Sequence, residues 1–318
     1  MNYQYLLKRT VIAILSIVVV TSVVFAITTL LPGSAATIVL GTEATEESIQ
    51  QVNQNLGLDR PLYVQYIDFV GGVFTGDLGT SLISGQPVLE MIWPRLLRTL
   101  QLATVAMLIS IVVAIPLAIL AAAKRDTMID HVVTSSSYIG LSLPSFVSAT
   151  LLLLFLATPP LSLFPTGGFV PVKKGVISWL HHLLLPALAM NTIILAYVLR
   201  QTRSSMVDTL SSDYIRTARL KGVSEWGVLF KHALRNGLLP TITIVALNFG
   251  WMMGSVVIIE QIFAYPGIGQ LIISAIENRD LPLIQAGILI PTIAFILANF
   301  AADIIYSLLD PRISLGEQ

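Results

Sequence analysis

Bond chemistry has few candidates in this chain of 318 residues. The residues whose types could hold a metal or attack a substrate are His131, His181, His182, His232 and the run Ser135-Ser136-Ser137. The histidines do not fall into a zinc-protease pattern, and successive helical positions turn by about 100°, so His181 and His182 face different ways. They read as interfacial side chains. The serines have no histidine partner at a readable spacing, which favours a polar loop or helix end over a nucleophile. A phosphate-binding loop needs glycine amides followed by Gly-Lys-Ser/Thr, and no Gly-Lys pair occurs. ATP hydrolysis is therefore not expected of this chain. With no cysteine, disulfides and thiolate metal sites are excluded.

The chemistry that does stand out is electrostatic docking. From Ser212-Asp213-Tyr214 through Arg216-Thr217-Ala218-Arg219-Leu220-Lys221-Gly222 to Ser224-Glu225-Trp226, then Lys231-His232-Ala233-Leu234-Arg235-Asn236, the chain reads as two short basic helices. Asp213 is expected to cap the first, Gly222 to end it in a left-handed turn, and Ser224 to cap the second. An ordinary basic loop would explain the charge. It would not explain the caps, the glycine, or the apolar Leu220, Trp226, Leu229 and Phe230 in a segment facing water. A second block, Glu260 to Leu271, contains Tyr265-Pro266-Gly267, which breaks the helix, followed by the amphipathic stretch Leu271, Ile272, Ala275 and Ile276. If Gly267 has positive φ, a β-branched residue there would be resisted. This block reads either as a re-entrant turn that packs a bundle or as a gate or substrate path.

These segments must be positioned by membrane spans. At 55% hydrophobic and 11% charged residues the chain is too apolar for a soluble domain. Six stretches have roughly the 20 apolar residues that cross a hydrocarbon core about 30 Å thick. They lie near Val11–Leu31, Leu102–Ala123, Ser145–Phe164, Leu183–Leu199, Leu238–Ile262 and Leu283–Leu309. The first is too long for a signal-peptide core and reads as a retained anchor. Lys and Arg sort twelve to six over alternate loops, which places both termini and the Gly222 segment on the cytoplasmic side. Zero net charge argues against nucleic acid as a partner. Asp303, near the cytoplasmic end of the last span, reads as hydrated or paired rather than as an ion site.

The long loop after the first span is then external. Thr45 starts a polar helix ending near Gly57, Pro61 opens another running to Phe74, and Gly76-Asp77-Leu78-Gly79 is a tight turn.

Arg216-Thr217-Ala218 followed by Gly222 resembles the Glu-Ala-Ala, three residues, Gly signature of permease subunits of binding-protein-dependent ABC importers. Tyr214-Ile215-Arg216-Thr217-Ala218-Arg219 with His232-Ala233-Leu234-Arg235-Asn236 is similar to the dipeptide, oligopeptide and nickel branch. So are Leu56 to Pro61, Gly76 to Gly79, Arg95 to Leu102, and the Glu-x-x-Phe-x-x-Pro-Gly-x-Gly element from Glu260 to Gly269. Two departures stand out: Leu31-Pro32-Gly33-Ser34-Ala35 replaces Leu-Pro-Gly-Asp-Pro, and Leu239-Pro240 comes late after Gly222.

The resemblance implies an all-α integral membrane protein: residues 1–99 forming an N-terminal span and external loop, 100–310 a five-helix permease core, and 311–318 a cytoplasmic tail. It implies that Arg216, Thr217, Ala218, Lys221, Gly222, Ser224 and Glu225 couple to ATPase subunits, and that Glu260, Tyr265, Pro266 and Gly267 are candidates for the translocation path or gate. No cofactor is expected in this chain; ATP and Mg belong to the ATPases. Expected partners are a second, related permease, two ATPases, an external solute-binding protein and the lipid of the inner membrane. Di- and oligopeptides are the expected cargo, with nickel or another small solute as alternatives. An ion-gradient-driven secondary transporter is the rival from another class; it predicts ionisable residues at the bilayer centre and often an internal repeat, neither of which is clear here.

Overall fold

The computed structural model of the chain describes residues 3–30, 45–55 and 59–309. Leu31 to Ala35, Glu43, Gly57 and the tail 311–318 lie outside the described residues, as does the side chain of Asp303. Among the described residues the structure is helical, with no strand and one isolated antiparallel bridge between Thr80 and Pro87. The chain divides into two units, Met1–Thr99 with Pro266–Gln318, and Leu100–Tyr265.

In the first unit α1 (Tyr3–Leu30) packs along α12 (Leu281–Leu309). Gln285 Nε2 donates to Thr28 Oγ1 at 2.8 Å. Thr21 and Thr28 also donate back to carbonyls one turn earlier, so these buried hydroxyls are satisfied inside an apolar helix. The polar helix α2 (Glu46–Asn55) begins where expected, with Thr45 Oγ1 accepting from the Ser48 amide. Helix α3 (Leu62–Thr75) follows Pro61 and stops at Gly76, whose φ is 80°. The 88–99 part of α4 (Val88–Ala123) brings Val88 and Ile92 against Ile268, Leu271 and Ala275 of α11 (Ile268–Glu277) and Leu283 and Ile284 of α12. The turn after α3 is anchored there too. Ser81 Oγ donates to Asp280 at 2.5 Å and the Leu82 amide donates to its other oxygen, the Ser81 and Asp280 side chains both being buried.

The second unit is built around α7 (Val176–Leu210), which packs on α5 (Met128–Ser142), α6 (Ser145–Leu152) and α10 (Leu239–Ile262). Its core is rich in small residues, Ala103, Ala106, Ala114 and Ala118 on α4 and Ala187 and Ala189 on α7. Small side chains let backbones approach closely where lipid supplies no hydrophobic drive between helices. Buried hydroxyls bridge helices: Ser110 Oγ donates to Asn191 Oδ1 at 2.5 Å, and Thr202 Oγ1 bonds Thr241 Oγ1 at 2.9 Å.

The spans confirm the all-α membrane architecture with one correction. Among the described residues five helices are long and apolar enough to cross, Leu7–Thr29, Val88–Ala123, Val176–Leu210, Leu239–Ile262 and Leu281–Phe300, and a sixth span is available if the bent pair Met128–Ser142 and Ser145–Ala157 crosses as one. The expected third span, Ser145–Phe164, is not one helix. Helix α6 and the π turn Leu153–Ala157 that continues it rise only about 20 Å. They join α5 at a 105° bend. Pro144 forces Leu143 into an extended conformation, which ends α5, and Pro159-Pro160 prevent α6 from continuing. Leu163 instead folds back, its amide donating to the Leu156 carbonyl at 2.8 Å.

Candidate functional site

Helix α8 (Asp213–Leu220) and a second limb, α9, made of Glu225–Gly227, the π turn Val228–Ala233 and Leu234–Gly237, form the expected pair. Ile215 and Ala218 of α8, with Val228 and Ala233 of α9, are buried with Ile119 and Ala122 of α4 and Met206 of α7. The pair is thus fixed to the ends of two long helices of its own unit. Arg216, Thr217, Lys221 and Glu225 are exposed.

The bend between the limbs is a Schellman motif. Gly222 has φ 77°, its amide donates to the Arg219 carbonyl at 2.9 Å, and the Val223 amide reaches the Ala218 carbonyl at 3.2 Å. Val223 packs against the same buried cluster as Ala218, the apolar contact that accompanies this cap. Ser224 Oγ accepts from the Gly227 amide at 3.3 Å, so the second cap is as expected. The first is not. Ser212 occupies the cap position of α8, without a side-chain cap bond, and Asp213 is already its first helical residue, where its charge still suits the helix dipole. Arg219 grips Glu225 across the bend with two bonds of 2.9 and 3.2 Å.

The outer surface of this pair is apolar and aromatic. Trp226 is 73% and Leu220 82% exposed, and the Trp226 and Phe230 rings stack 5.2 Å apart at 9°. With Pro116, Leu120, Lys124 and Arg125, the two rings line a groove of about 720 Å³. Water alone would not favour such a surface.

A pair that the sequence reading missed lies in the same unit. Asp130 of α5, 2% exposed, accepts two bonds from Arg203 of α7, Nε at 2.5 Å and Nη2 at 2.6 Å. The Asp126 amide and Thr134 hydroxyl complete its shell. Arg203 stands two turns before the end of the helix that leads into α8. Nothing local marked this pair, because the partners are 73 residues apart.

The second block divides at the Tyr265–Pro266 bond, which is also where the two units meet in sequence. In the second unit α10 ends in another Schellman motif: the Ala264 amide bonds the Gln261 carbonyl at 3.3 Å and the Tyr265 amide the Glu260 carbonyl at 2.8 Å. Its left-handed residue is Ala264, φ 44°, not a glycine. The loop through Gly167 lies on this turn. The Gly168 amide bonds the Phe263 carbonyl at 2.9 Å, and the Phe169 ring meets Tyr265 edge-on at 5.6 Å. The Glu260 and Tyr265 side chains are both fully buried.

In the first unit the Pro266 carbonyl accepts from Arg98 Nη1 at 3.2 Å, and Thr99 Oγ1 accepts from the Ile268 amide at 2.9 Å. Gly267 caps α11 with φ −96° and ψ −168°, extended backbone open to any residue. The condition of positive φ at Gly267 is therefore not met. The strained position is Ala264, because the reversal is completed before the proline and held by residues 167–169. Leu271 and Ala275 are buried and Ile272 is half-buried, as the amphipathic stretch implies, whereas Ile276, read as part of the same stripe, is exposed.

His181 Nε2 contacts the Leu163 carbonyl and His182 Nδ1 the Ser178 carbonyl, each ring thus engaged with backbone. Among the described residues no three His, Cys, Asp or Glu groups converge as a metal site.

Comparison with known proteins gives this arrangement its family. Residues 114–315 match the family described as binding-protein-dependent transport system inner membrane component, and residues 2–103 match its N-terminal membrane component. The oligopeptide transport system permease protein AppB of Bacillus subtilis is 39% identical over 312 residues, covering 97% of this chain and 98% of that protein. A probable peptide ABC transporter permease of Sinorhizobium fredii, y4tP, is 37% identical over 309 residues, with coverage of 97% and 98%. The glutathione transport system permease protein GsiC of Salmonella choleraesuis is 38% identical over 310 residues, covering 98% of both chains. With both family matches and near-complete relatives, the chain belongs to the inner membrane components of binding-protein-dependent transport systems.

Proposed function

We propose that this chain is the permease subunit of an ATP-driven importer of di- and oligopeptides in the inner membrane, with both termini cytoplasmic. The observation that carries the mechanism is the bent pair α8 and α9, braced on α4 and α7 and presenting Leu220, Trp226 and Phe230 outward. A separate ATPase subunit docks there. ATP and Mg are held by two such subunits, and their closure moves the pair as a lever because its inner face is packed rather than hinged. The long helix α7 carries that motion into the bundle, which alternates between inward-open and outward-open states.

Arg216, Thr217, Lys221, Glu225 and the turn at Gly222 and Ser224 are the proposed coupling residues, with Ala218 seating the lever from beneath. Glu260, Tyr265, Pro266 and Gly267 are proposed to act in the gate or substrate path. A second, related permease completes the path, and an external solute-binding protein delivers cargo. Peptide cargo is supported by the relatives named for peptide and oligopeptide transport. Residues 1–99 form an accessory span and external loop beside a five-helix core of residues 100–310, in which the bent pair α5 and α6 is the second helix.

The test is reconstitution of the chain with its co-encoded permease, ATPases and binding protein in vesicles. Uptake of labelled peptides that requires ATP and the binding protein is the expected result. Uptake by this chain alone along an ion gradient would establish a secondary transporter instead. A binding protein that retains nickel and no peptide would move the cargo to the metal alternative.

A further inference from the structure

Helix α3 carries an apolar face that no described residue of the first unit covers. Leu62, Tyr63, Ile67 and Phe74 are 58%, 68%, 63% and 77% exposed. At about 100° per residue, Tyr63, Ile67, Val70 and Phe74 fall within about 60° of one another, while Gln65, Asp68 and Thr75 occupy the opposite side. The neighbouring flank of the same helix packs on α1: Tyr66 Oη bonds Ser22 Oγ at 2.7 Å, the Tyr66 ring meets Phe25 at 5.4 Å, and Phe69 stacks on Phe25 at 5.9 Å.

Those contacts fix a depth. The apolar stretch of α1 runs from Leu7 to Thr29. Ser22 and Phe25 lie seven and four residues before its end, about 10 and 6 Å inside the hydrocarbon layer by helical rise. A helix whose side chains touch α1 there cannot stand in water beside the membrane. On the same face of α1, one to two turns from the contact toward the middle of the span, Leu15 and Val18 are exposed as a membrane span presents them to lipid, so the bare face of α3 lies beside an existing lipid-facing surface.

We propose that α3 is an interfacial helix embedded in the leaflet around the end of α1, with Tyr63, Ile67, Val70 and Phe74 against acyl chains and Asp68 and Thr75 toward headgroups and water. Its length suits this role: 14 residues rise about 21 Å, too short to cross but long enough to lie along the surface. The Arg60–Asp68 ion pair at 3.1 Å sits on the polar side, where charge stays hydrated. This helix braces α1 laterally, so the first span enters the bilayer as a two-helix wedge. The identification of that leaflet as the outer one rests on the orientation given under Proposed function.

The chain lacks cysteine, so single-cysteine variants report one position each. Ile67→Cys, Asp68→Cys and a lipid-facing reference, Val19→Cys, are assembled into the full transporter in vesicles and exposed to a membrane-impermeant maleimide. The Ile67→Cys variant, carrying a fluorophore on its new thiol, is then read against lipids brominated at defined acyl depths. The expected result is labelling at position 67 at least about tenfold slower than at 68 and close to that at 19, because an apolar site suppresses the reactive thiolate. Quenching at 67 should be strongest with bromines near the headgroup end of the chains. Equal labelling at 67 and 68 would overturn the proposal. So would rapid labelling at 67 that only added binding protein suppresses, which would make the face a protein-docking surface. Labelling of position 68 solely from the ATP side would refute the orientation while leaving the 67 to 68 contrast to judge the lipid contact.

Discussion

Replacing Gly222 tests the lever at its bend. A Cβ there meets nothing within 4 Å, so the cost within this chain is conformational and not steric. At φ 77° an L-residue pays about 1–2 kcal/mol, more for a β-branched side chain, whereas Asn tolerates the left-handed region. A loss of about 1–2 kcal/mol lowers the population of the bent form roughly 5- to 30-fold relative to straightened alternatives. Gly222→Val should therefore cut uptake and binding-protein-stimulated ATP hydrolysis together by up to about that factor, while Gly222→Asn keeps most of both. The assay is vesicle uptake and phosphate release on the same purified complexes, with membrane content measured by immunoblot. Insertion should be unchanged, since the Lys and Arg distribution is untouched. Loss in Asn and Val variants alike would assign the effect to crowding of the docked partner. Wild-type activity in Gly222→Val would remove the bend from the mechanism and with it the reasoning above.

Three further substitutions probe the supports of the site. Asp130→Ala leaves Arg203 without its carboxylate in a mostly buried position and should cost about 3 kcal/mol, seen as a lower thermal aggregation temperature of the detergent-purified chain; an unchanged temperature would show the pair contributes nothing. Ala264→Gly removes left-handed strain and should stabilise by up to about 1 kcal/mol in the same assay, with altered transport if that strain serves the gate. Gly167→Ala sets a Cβ against the Phe263 carbonyl oxygen, closer than the two atoms can approach, so it should displace the loop from the α10 cap and destabilise by about 1–3 kcal/mol, detectable as faster proteolysis in the 165–169 loop. Retention of wild-type stability and protease resistance would show that the loop does not clamp the cap.

Much of the fold was legible because its determinants are one-dimensional. Runs of about 20 apolar residues mark spans, since an unpaired backbone group cannot be left in hydrocarbon. The bend at Gly222 and the Ser224 cap were legible for a related reason: helix ends are satisfied by residues three to five positions away, and both partners stand in the local sequence. Hydropathy misled where apolar residues return as a loop. Leu161, Leu163 and Phe164 read as the end of a straight span, but Pro159-Pro160 end the helix before them and Pro144 bends it against α5, so the apolar residues that can cross here are shared between α5 and α6.

What only the tertiary structure decided involves partners far apart in the chain. Asp130 carries no local signal; the packing of α5 on α7 places it against Arg203, where burial makes the pairing obligatory. Gly267 drew attention as the flexible residue of Pro-Gly, yet the left-handed turn falls on Ala264 because Gly168 and Phe169 grip the end of α10 from nearly a hundred positions upstream. Helix α3 could be read as an external helix from its length and flanking prolines and glycines, but its depth is set by Tyr66 and Phe69 meeting α1. Local sequence thus determined which segments are helical, where they end and which face is apolar. The packing of those faces determined which charges pair, which backbone is strained and which surface is left for lipid or a partner, because each depends on distances that no sequence window contains.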